Sequence, residues 1–193
     1  MAVCTLVLLG TSFLPILGVE FAWVQIHWMT GIALALLVLV HIVRSVAFRP
    51  LRTMLPGVQD IRDTIAVLRY NIRATAEPAP LPGKYSVSQK AIHAVFALVV
   101  LTAIVTGFLM LAKIDSPLWE RNPYFLSDPT WGVIYVLHGF SALALISLVM
   151  IHMYFSLRPE KRHYLRSMLT GTMTRNEHSK YHDARRWPAE DEA

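Results

Sequence analysis

Four histidines of this chain form two pairs with the same internal spacing. His27 and His41 are fourteen residues apart in one uncharged apolar stretch, and His138 and His152 are fourteen apart in another. Fourteen residues of α-helix advance about 21 Å and end roughly 40° short of whole turns, so each pair would share a helix face at two depths. Two such helices side by side would provide two bis-histidine sites, the arrangement that two b-type haems need to pass electrons across a membrane.

Other roles for these histidines stay open. A histidine inside a membrane span is energetically costly to bury in lipid and usually has a function. It can also be a hydrogen-bonded structural residue or part of a proton or metal path. We favour haem ligation because the same interval recurs on two predicted helices. Arg44, one turn beyond His41, could bind a haem propionate or could anchor its helix at the membrane surface.

The helices that would position the histidines are predicted from four uncharged apolar stretches. Hydrophobic residues make up 54% of the 193 residues, and the mean hydropathy is +0.44, which is too apolar for an ordinary soluble domain. The four stretches, each long enough to cross a bilayer, are residues 2–19, 21–43, 91–112 and 129–157. We therefore predict an all-α integral membrane four-helix bundle over residues 1–157, followed by a basic tail, 158–193.

The positive charges predict the orientation of this bundle. Of the 18 Lys and Arg residues, all but Lys113 and Arg121 lie between residues 44 and 90 or beyond residue 157. Positive loops remain on the cytoplasmic side, so both basic segments and both termini should be cytoplasmic. Topology and lipid contact account for these charges, and we expect no nucleic-acid partner.

The cytoplasmic connection, 44–90, contains a further predicted element. Apolar residues recur there at three- and four-residue steps from Val58 to Ile72, which predicts an amphipathic helix at the headgroup level. The proline-rich stretch 77–83 should be an extended linker, and the tail beyond Ser179 should be poorly ordered until a partner binds it. With Cys4 as the one cysteine, the chain holds no Cys-ligated cluster or CxxCH haem attachment, and any metal must be held by histidine.

Several motifs resemble those of a known family. They are Ile-His-Trp-Met-Thr-Gly at 26–31, Gly-Lys-Tyr-Ser-Val-Ser-Gln-Lys at 83–90, Val-Thr-Gly at 105–107, Leu-His-Gly at 137–139 and Ile-His-Met-Tyr at 151–154. With these marks the chain resembles the di-haem cytochrome b subunits of respiratory complexes. That group includes the gamma subunit of formate dehydrogenase, the cytochrome b of nickel–iron hydrogenases and prokaryotic cytochrome b561.

The resemblance implies particular site residues. His27 and His138 would ligate an outer haem b, and His152 would ligate an inner one. The family takes the second inner ligand from the cytoplasmic start of the first helix, so either His41 or a histidine upstream of Met1 would fill this role. A quinone would react beside the stretch before the third span, near Gly83, Lys84, Tyr85, Ser86 and Gln89. The alternative for this stretch is a helix N-terminus that its Ser and Lys residues cap and anchor.

The expected function follows from the resemblance. The chain would be the multi-pass anchor of a respiratory oxidoreductase in a prokaryotic inner membrane. It would carry electrons from an extracytoplasmic iron–sulfur or multihaem cytochrome c subunit to quinone, and it contains no dehydrogenase active site of its own. Two alternatives stay open: oxidation of quinol to supply an external reductase, and a haem-free anchor or transporter that uses the histidines as a proton or metal path.

Overall fold

The protein is all-helical. A computed structural model describes residues 1–48, 54–73 and 80–188, and no β-strand is formed within them. The α-helices are α1 (Ala2–Phe13), α2 (Trp23–Phe48), α3 (Val58–Arg73), α4 (Val87–Met110), α5 (Asp128–Leu157), α6 (Arg162–Thr170) and α7 (Arg175–Tyr181).

Three of these helices are long and apolar enough to cross a membrane. They are α2, α4 with the short 3-10 turn that extends it to Lys113, and α5. Even the shortest, with 26 residues, is about 39 Å long, which exceeds a hydrocarbon layer of about 30 Å. Few of their side chains are buried, as expected for helices that face lipid. The prediction of an integral membrane helical protein is therefore supported.

The first predicted span differs from the prediction. We expected one helix over residues 2–19, but α1 ends at Phe13 and residues 14–18 form a turn. Pro15 lacks the amide hydrogen that would continue the helix, and Gly18 adopts a left-handed φ of 83°. With 12 residues, α1 is about 18 Å long and does not cross the layer by itself. The described residues therefore contain three helices that are long enough to span a membrane, and the predicted four-helix bundle is not confirmed.

The amphipathic helix predicted between the second and third apolar stretches is present. α3 covers Val58–Arg73, and its apolar residues Ile61, Ile65 and Leu68 are exposed. Such a face is typical of a helix that lies on a membrane surface. Most of the predicted proline linker lies outside the described residues, and its end, from Pro80 to Gly83, is not helical.

The chain divides into two compact units. The first comprises Met1–Arg49 and Phe96–Val149, and the second comprises Pro50–Val95 and Met150–Ala193. α1 packs along α2 in the first unit. The core of the first unit includes Trp131, which is 2% exposed, with Leu34, Ile134 and Leu145.

The C-terminal segment is packed, contrary to the expectation of poor order beyond Ser179. In the second unit, the amide of Asp183 donates to the carbonyl of Pro82 over 2.9 Å, and Nδ1 of His182 lies 2.7 Å from the carbonyl oxygen of Gly83. His182 is 2% exposed. The stretch that follows α7 therefore lies against the residues that precede α4.

Candidate functional site

Two predicted ligands are neighbours in the first unit. His27 lies in the second turn of α2, and His138 lies in the N-terminal half of α5. Their ring centres are 6.1 Å apart, and the ring planes are inclined by 71°. Both residues are partly buried. The structure thus brings together the two histidines to which the outer haem was assigned.

Each of these rings has a threonine hydroxyl at Nδ1. Oγ1 of Thr11, on α1, is 2.8 Å from Nδ1 of His27, and Oγ1 of Thr106, on α4, is 2.9 Å from Nδ1 of His138. The two threonines are almost fully buried. A hydrogen bond to the ring nitrogen that does not bind the metal orients a metal-binding histidine.

Gly107 leaves space for the ring of His138 beside α4. A Cβ atom on Gly107 would lie 3.3 Å from Cε1 of His138, closer than side chains normally approach. Around Gly31 there is more room, since a Cβ there would meet only Cδ2 of Leu8 at 4.0 Å. A Cβ on Gly139 would meet nothing within 4 Å. Of the three glycines, Gly107 alone is in tight contact with a predicted ligand.

The donor set fits a haem iron. With both Nδ1 atoms engaged, Nε2 remains for a metal, and no described residue hydrogen-bonds to Nε2 of His27 or His138. The 6.1 Å between the two ring centres would leave space for an iron bound by one nitrogen of each ring, since metal–imidazole bonds are about 2 Å long. No cluster of three metal-binding side chains exists in the described parts of the chain. A haem suits this donor set because its porphyrin leaves only two positions for the protein to fill.

The inner ligand set stays a prediction. His41 lies on α2 in the first unit, and His152 lies on α5 in the second. Both histidines are exposed, as is Arg44, one turn beyond His41. Each unbroken helix does carry its two histidines at the interval that the sequence predicted.

The predicted quinone neighbourhood contains a helix cap. The amide of Ser86 donates to Oε1 of Gln89 over 2.8 Å, and the amide of Gln89 donates to Oγ of Ser86 over 3.3 Å. These reciprocal bonds form a capping box at the first turn of α4. Within the same stretch, the ammonium of Lys84 lies 5.6 Å from the ring centre of Trp187 and 5.9 Å from that of Tyr85. The alternative role, a capped and anchored helix start, is thus present in the structure.

Two ion pairs with α3 hold this region of the second unit. Nζ of Lys90 lies 2.9 Å from Oδ2 of Asp60, and Nη1 of Arg186 lies 2.6 Å from Oδ2 of Asp63. Burial would raise the pKa of Asp60, but the Gly57 amide and Lys90 outweigh it and hold the pKa below its usual value. The Arg186 guanidinium, against partial burial, likewise lowers the pKa of Asp63. Both carboxylates are therefore ionised at neutral pH.

Two groups of residues were not predicted from the sequence. Thr11 carries no sequence signal, because a threonine in an apolar helix is ordinary, whereas Thr106 lies in the Val-Thr-Gly motif but was given no role. The second group is a cluster of histidines and aromatic residues in the second unit, formed by His163, Tyr164, His178, Tyr181, His182 and Trp187. The capping box from Thr174 to Glu177 could have indicated that the tail folds.

Comparison with known proteins identifies the family. The model of the family described as prokaryotic cytochrome b561 matches residues 1–171. No curated protein matches the chain. The matched range contains all four paired histidines, both threonines and the three helices that are long and apolar enough to span a membrane. The chain therefore belongs to the prokaryotic cytochrome b561 family, membrane proteins that bind b-type haem and transfer electrons.

Proposed function

We propose that this chain is the membrane subunit of a quinone-linked respiratory complex, with two b-type haems. The outer haem is held by His27 and His138, and the inner haem by His41 and His152. Electrons enter from an iron–sulfur or multihaem cytochrome c subunit on the extracytoplasmic side and leave to quinone near the cytoplasm, as in formate dehydrogenase. The observation that carries the proposal is the pair of facing rings, 6.1 Å apart, each with its Nδ1 already engaged.

When bound, a haem supplies a one-electron iron couple. The protein supplies binding, orientation and surroundings. His27 and His138 present neutral imidazole nitrogens from two different helices, so a ligand held by both is fixed relative to α2 and α5. The apolar residues of the spans keep water away from this position, which favours rapid electron exchange without chemical side reactions.

At the cytoplasmic side, Arg44 is the proposed partner of a propionate. Five residues make up the proposed quinone neighbourhood: Gly83, Lys84, Tyr85, Ser86 and Gln89. Quinone reduction consumes protons, and this stretch lies outside the apolar span of α4, where water can supply them. Its support is the family resemblance together with its position at the first turn of a membrane-spanning helix.

The experiment is an absorption spectrum of the purified full chain, oxidised and then reduced with dithionite, with haem quantified per protein. Two haems per chain are expected, with b-type bands. His27→Ala and His138→Ala should each remove one haem and leave the other. His93→Ala is the matched control, because His93 also lies on a membrane-spanning helix, near its start, but has no proposed ligand role; this variant should retain both.

Three outcomes would contradict parts of the proposal. The absence of b-type bands would exclude electron transfer through haem, and the haem-free anchor or transporter would remain as the alternative. Retention of both haems in His41→Ala would place the inner ligand elsewhere. Reduction of the haems by quinol but not by an extracytoplasmic donor would reverse the direction of electron flow. Copurification from native membranes would identify the donor subunit.

A further inference from the structure

The threonines at the outer site have equivalent hydrogen-bonding patterns, although they come from different helices. Oγ1 of Thr11 lies 3.0 Å from the carbonyl oxygen of Val7 and 2.9 Å from that of Leu8. Oγ1 of Thr106 lies 2.6 Å from the carbonyl oxygen of Thr102 and 3.2 Å from that of Ala103. Each hydroxyl thus has two carbonyl oxygens of its own helix as acceptors, and we infer that its single hydrogen is directed at them.

This pattern determines the hydrogen at each histidine. A hydroxyl that has given its hydrogen to a carbonyl can only accept from a third group. Nδ1 of His27 and of His138 must therefore carry the hydrogen and donate to Oγ1, over 2.8 and 2.9 Å. A neutral imidazole with hydrogen on Nδ1 has its lone pair on Nε2. Both rings are thus held in the tautomer that binds a metal through Nε2.

The position of the threonines makes this arrangement persistent. Thr11 is 4% exposed and Thr106 is 5% exposed, so water does not compete for either hydroxyl. Neither α1 nor α4 supplies a proposed ligand to this site, yet each supplies one buried hydroxyl to it. A chance contact would not be expected to recur with the same donor, acceptor and back-bonding on two helices.

We propose that Thr11 and Thr106 are positioning residues of the outer site, which fix the tautomer and rotation of His27 and His138 and set the reduction potential of the haem that they bind. The inference rests on the proposed function, since it needs these histidines to be the ligands. An imidazole that donates from Nδ1 is a stronger electron donor through Nε2. Stronger donation stabilises ferric over ferrous iron, so the two hydroxyls lower the midpoint potential.

The test replaces each hydroxyl by a methyl group of similar size. In Thr11→Val and Thr106→Val, the midpoint potential of the outer haem should rise. The affinity of this haem for the protein should fall by about 10- to 100-fold, as is usual when a histidine ligand loses its hydrogen-bonding partner. Thr11→Ser and Thr106→Ser retain the hydroxyl and should restore both values. The potential is measured by redox titration of the purified full chain, which needs no partner and no turnover.

Two matched controls separate positioning from general packing. Ser12→Ala removes a hydroxyl that back-bonds to Leu8 on α1, and Thr102→Val removes one that back-bonds to Leu98 on α4. Neither hydroxyl contacts a histidine in the described structure, so neither change should move the potential. Helical circular dichroism of every variant reports whether a loss reflects unfolding.

A second measurement uses the haem-free protein. With ¹⁵N-labelled histidine, nitrogen chemical shifts should show hydrogen on Nδ1 of His27 and His138 in the wild type, and Thr→Val should add the other tautomer. Unchanged potentials in both Val variants, or hydrogen on Nε2 in the wild type, would overturn the inference. If the inference fails in this way but His27→Ala and His138→Ala still remove a haem, the proposed function stands. If the wild type binds no haem, the inference and the proposed function are both wrong.

Discussion

Gly107 is the residue of α4 that leaves no room for a side chain beside a proposed ligand. A Cβ added there would lie 3.3 Å from Cε1 of His138, so the ring of His138 would have to shift by a few tenths of an ångström. The same addition at Gly31 would reach only ordinary van der Waals contact, at 4.0 Å. The two glycines thus provide a sensitive position and a tolerant one near the same site.

We expect Gly107→Ala to weaken haem binding at the outer site, because a displaced His138 also stretches its bond to Thr106. The measurement is haem content together with the position of the reduced b-type bands. Gly31→Ala and Gly139→Ala should leave both unchanged. If the Gly107 variant behaves like these controls, the close contact has no role in the site.

At the residue scale the sequence predicted the histidines but not their surroundings. The fourteen-residue interval identified His27 and His138 because helical geometry is regular over that distance. Thr11 could not be predicted in the same way, since its contact with His27 depends on how α1 packs on α2. Packing between helices follows from side-chain shape, which a spacing pattern does not contain.

The start of α4 allows two roles to be separated at the scale of an element. Gln89 accepts the Ser86 amide in the capping box, and a glutamate would accept it equally well. Gln89→Glu should therefore retain the cap while it replaces the amide with a charge, whereas Gln89→Ala loses the cap and should destabilise the helix start by about 1 kcal/mol.

If this stretch contacts quinone, both Gln89 variants should slow haem oxidation by added quinone, measured by stopped-flow absorbance. If it only caps the helix, Gln89→Glu should behave as the wild type in both thermal stability and rate. Slowing in the Ala variant alone would thus favour the capping role over the quinone role.

Element boundaries show where sequence patterns were sufficient. The bounds predicted for α3 and α5 are within one or two residues of those observed, because charged residues or prolines flank each apolar or amphipathic run, whereas α4 begins four residues before the apolar stretch predicted from residue 91. α1 was predicted six residues too long, since residues 14–19 are apolar and hydropathy does not register the turn that Pro15 and Gly18 impose. The folded α6 and α7 were missed because their polar sequence resembles a solvated tail.

At the scale of the whole molecule, the histidine cluster of the second unit predicts sensitivity to acid. Burial lowers the pKa of His163 from its ordinary 6.5; Lys161 and His182 lower it further, and Glu177 opposes them. Below pH 6.5 the unfolded chain therefore binds more protons than the folded one. The contribution of neutral His163 to the free energy of unfolding is complete above that pH and is lost as the pH falls below it. Asp60 and Asp63, whose pKa values lie below 3.8, lose their contribution only below pH 3.8.

We therefore expect the C-terminal segment to loosen in two steps as the pH falls. Hydrogen exchange of residues 162–187, corrected for the intrinsic rate at each pH, should accelerate first below pH 6.5 and again below pH 3.8. His163→Gln should remove the first step and leave the second. Exchange that does not change between pH 7 and 5 would contradict the role of His163.

The fourteen-residue interval within α2 and within α5 has an energetic consequence. It separates the two histidine levels by about 21 Å, roughly two thirds of the hydrocarbon thickness. Moving one elementary charge across the whole layer involves work of about 2.3 kcal/mol per 100 mV of membrane potential. Moving an electron between the two histidine levels, about two thirds of that distance, therefore involves roughly 1.6 kcal/mol per 100 mV. Inward transfer, toward the negative side, would store this energy in the membrane, and outward transfer would release it. The spacing of four imidazoles would thus fix how strongly the voltage across the bilayer retards or drives respiration through this chain.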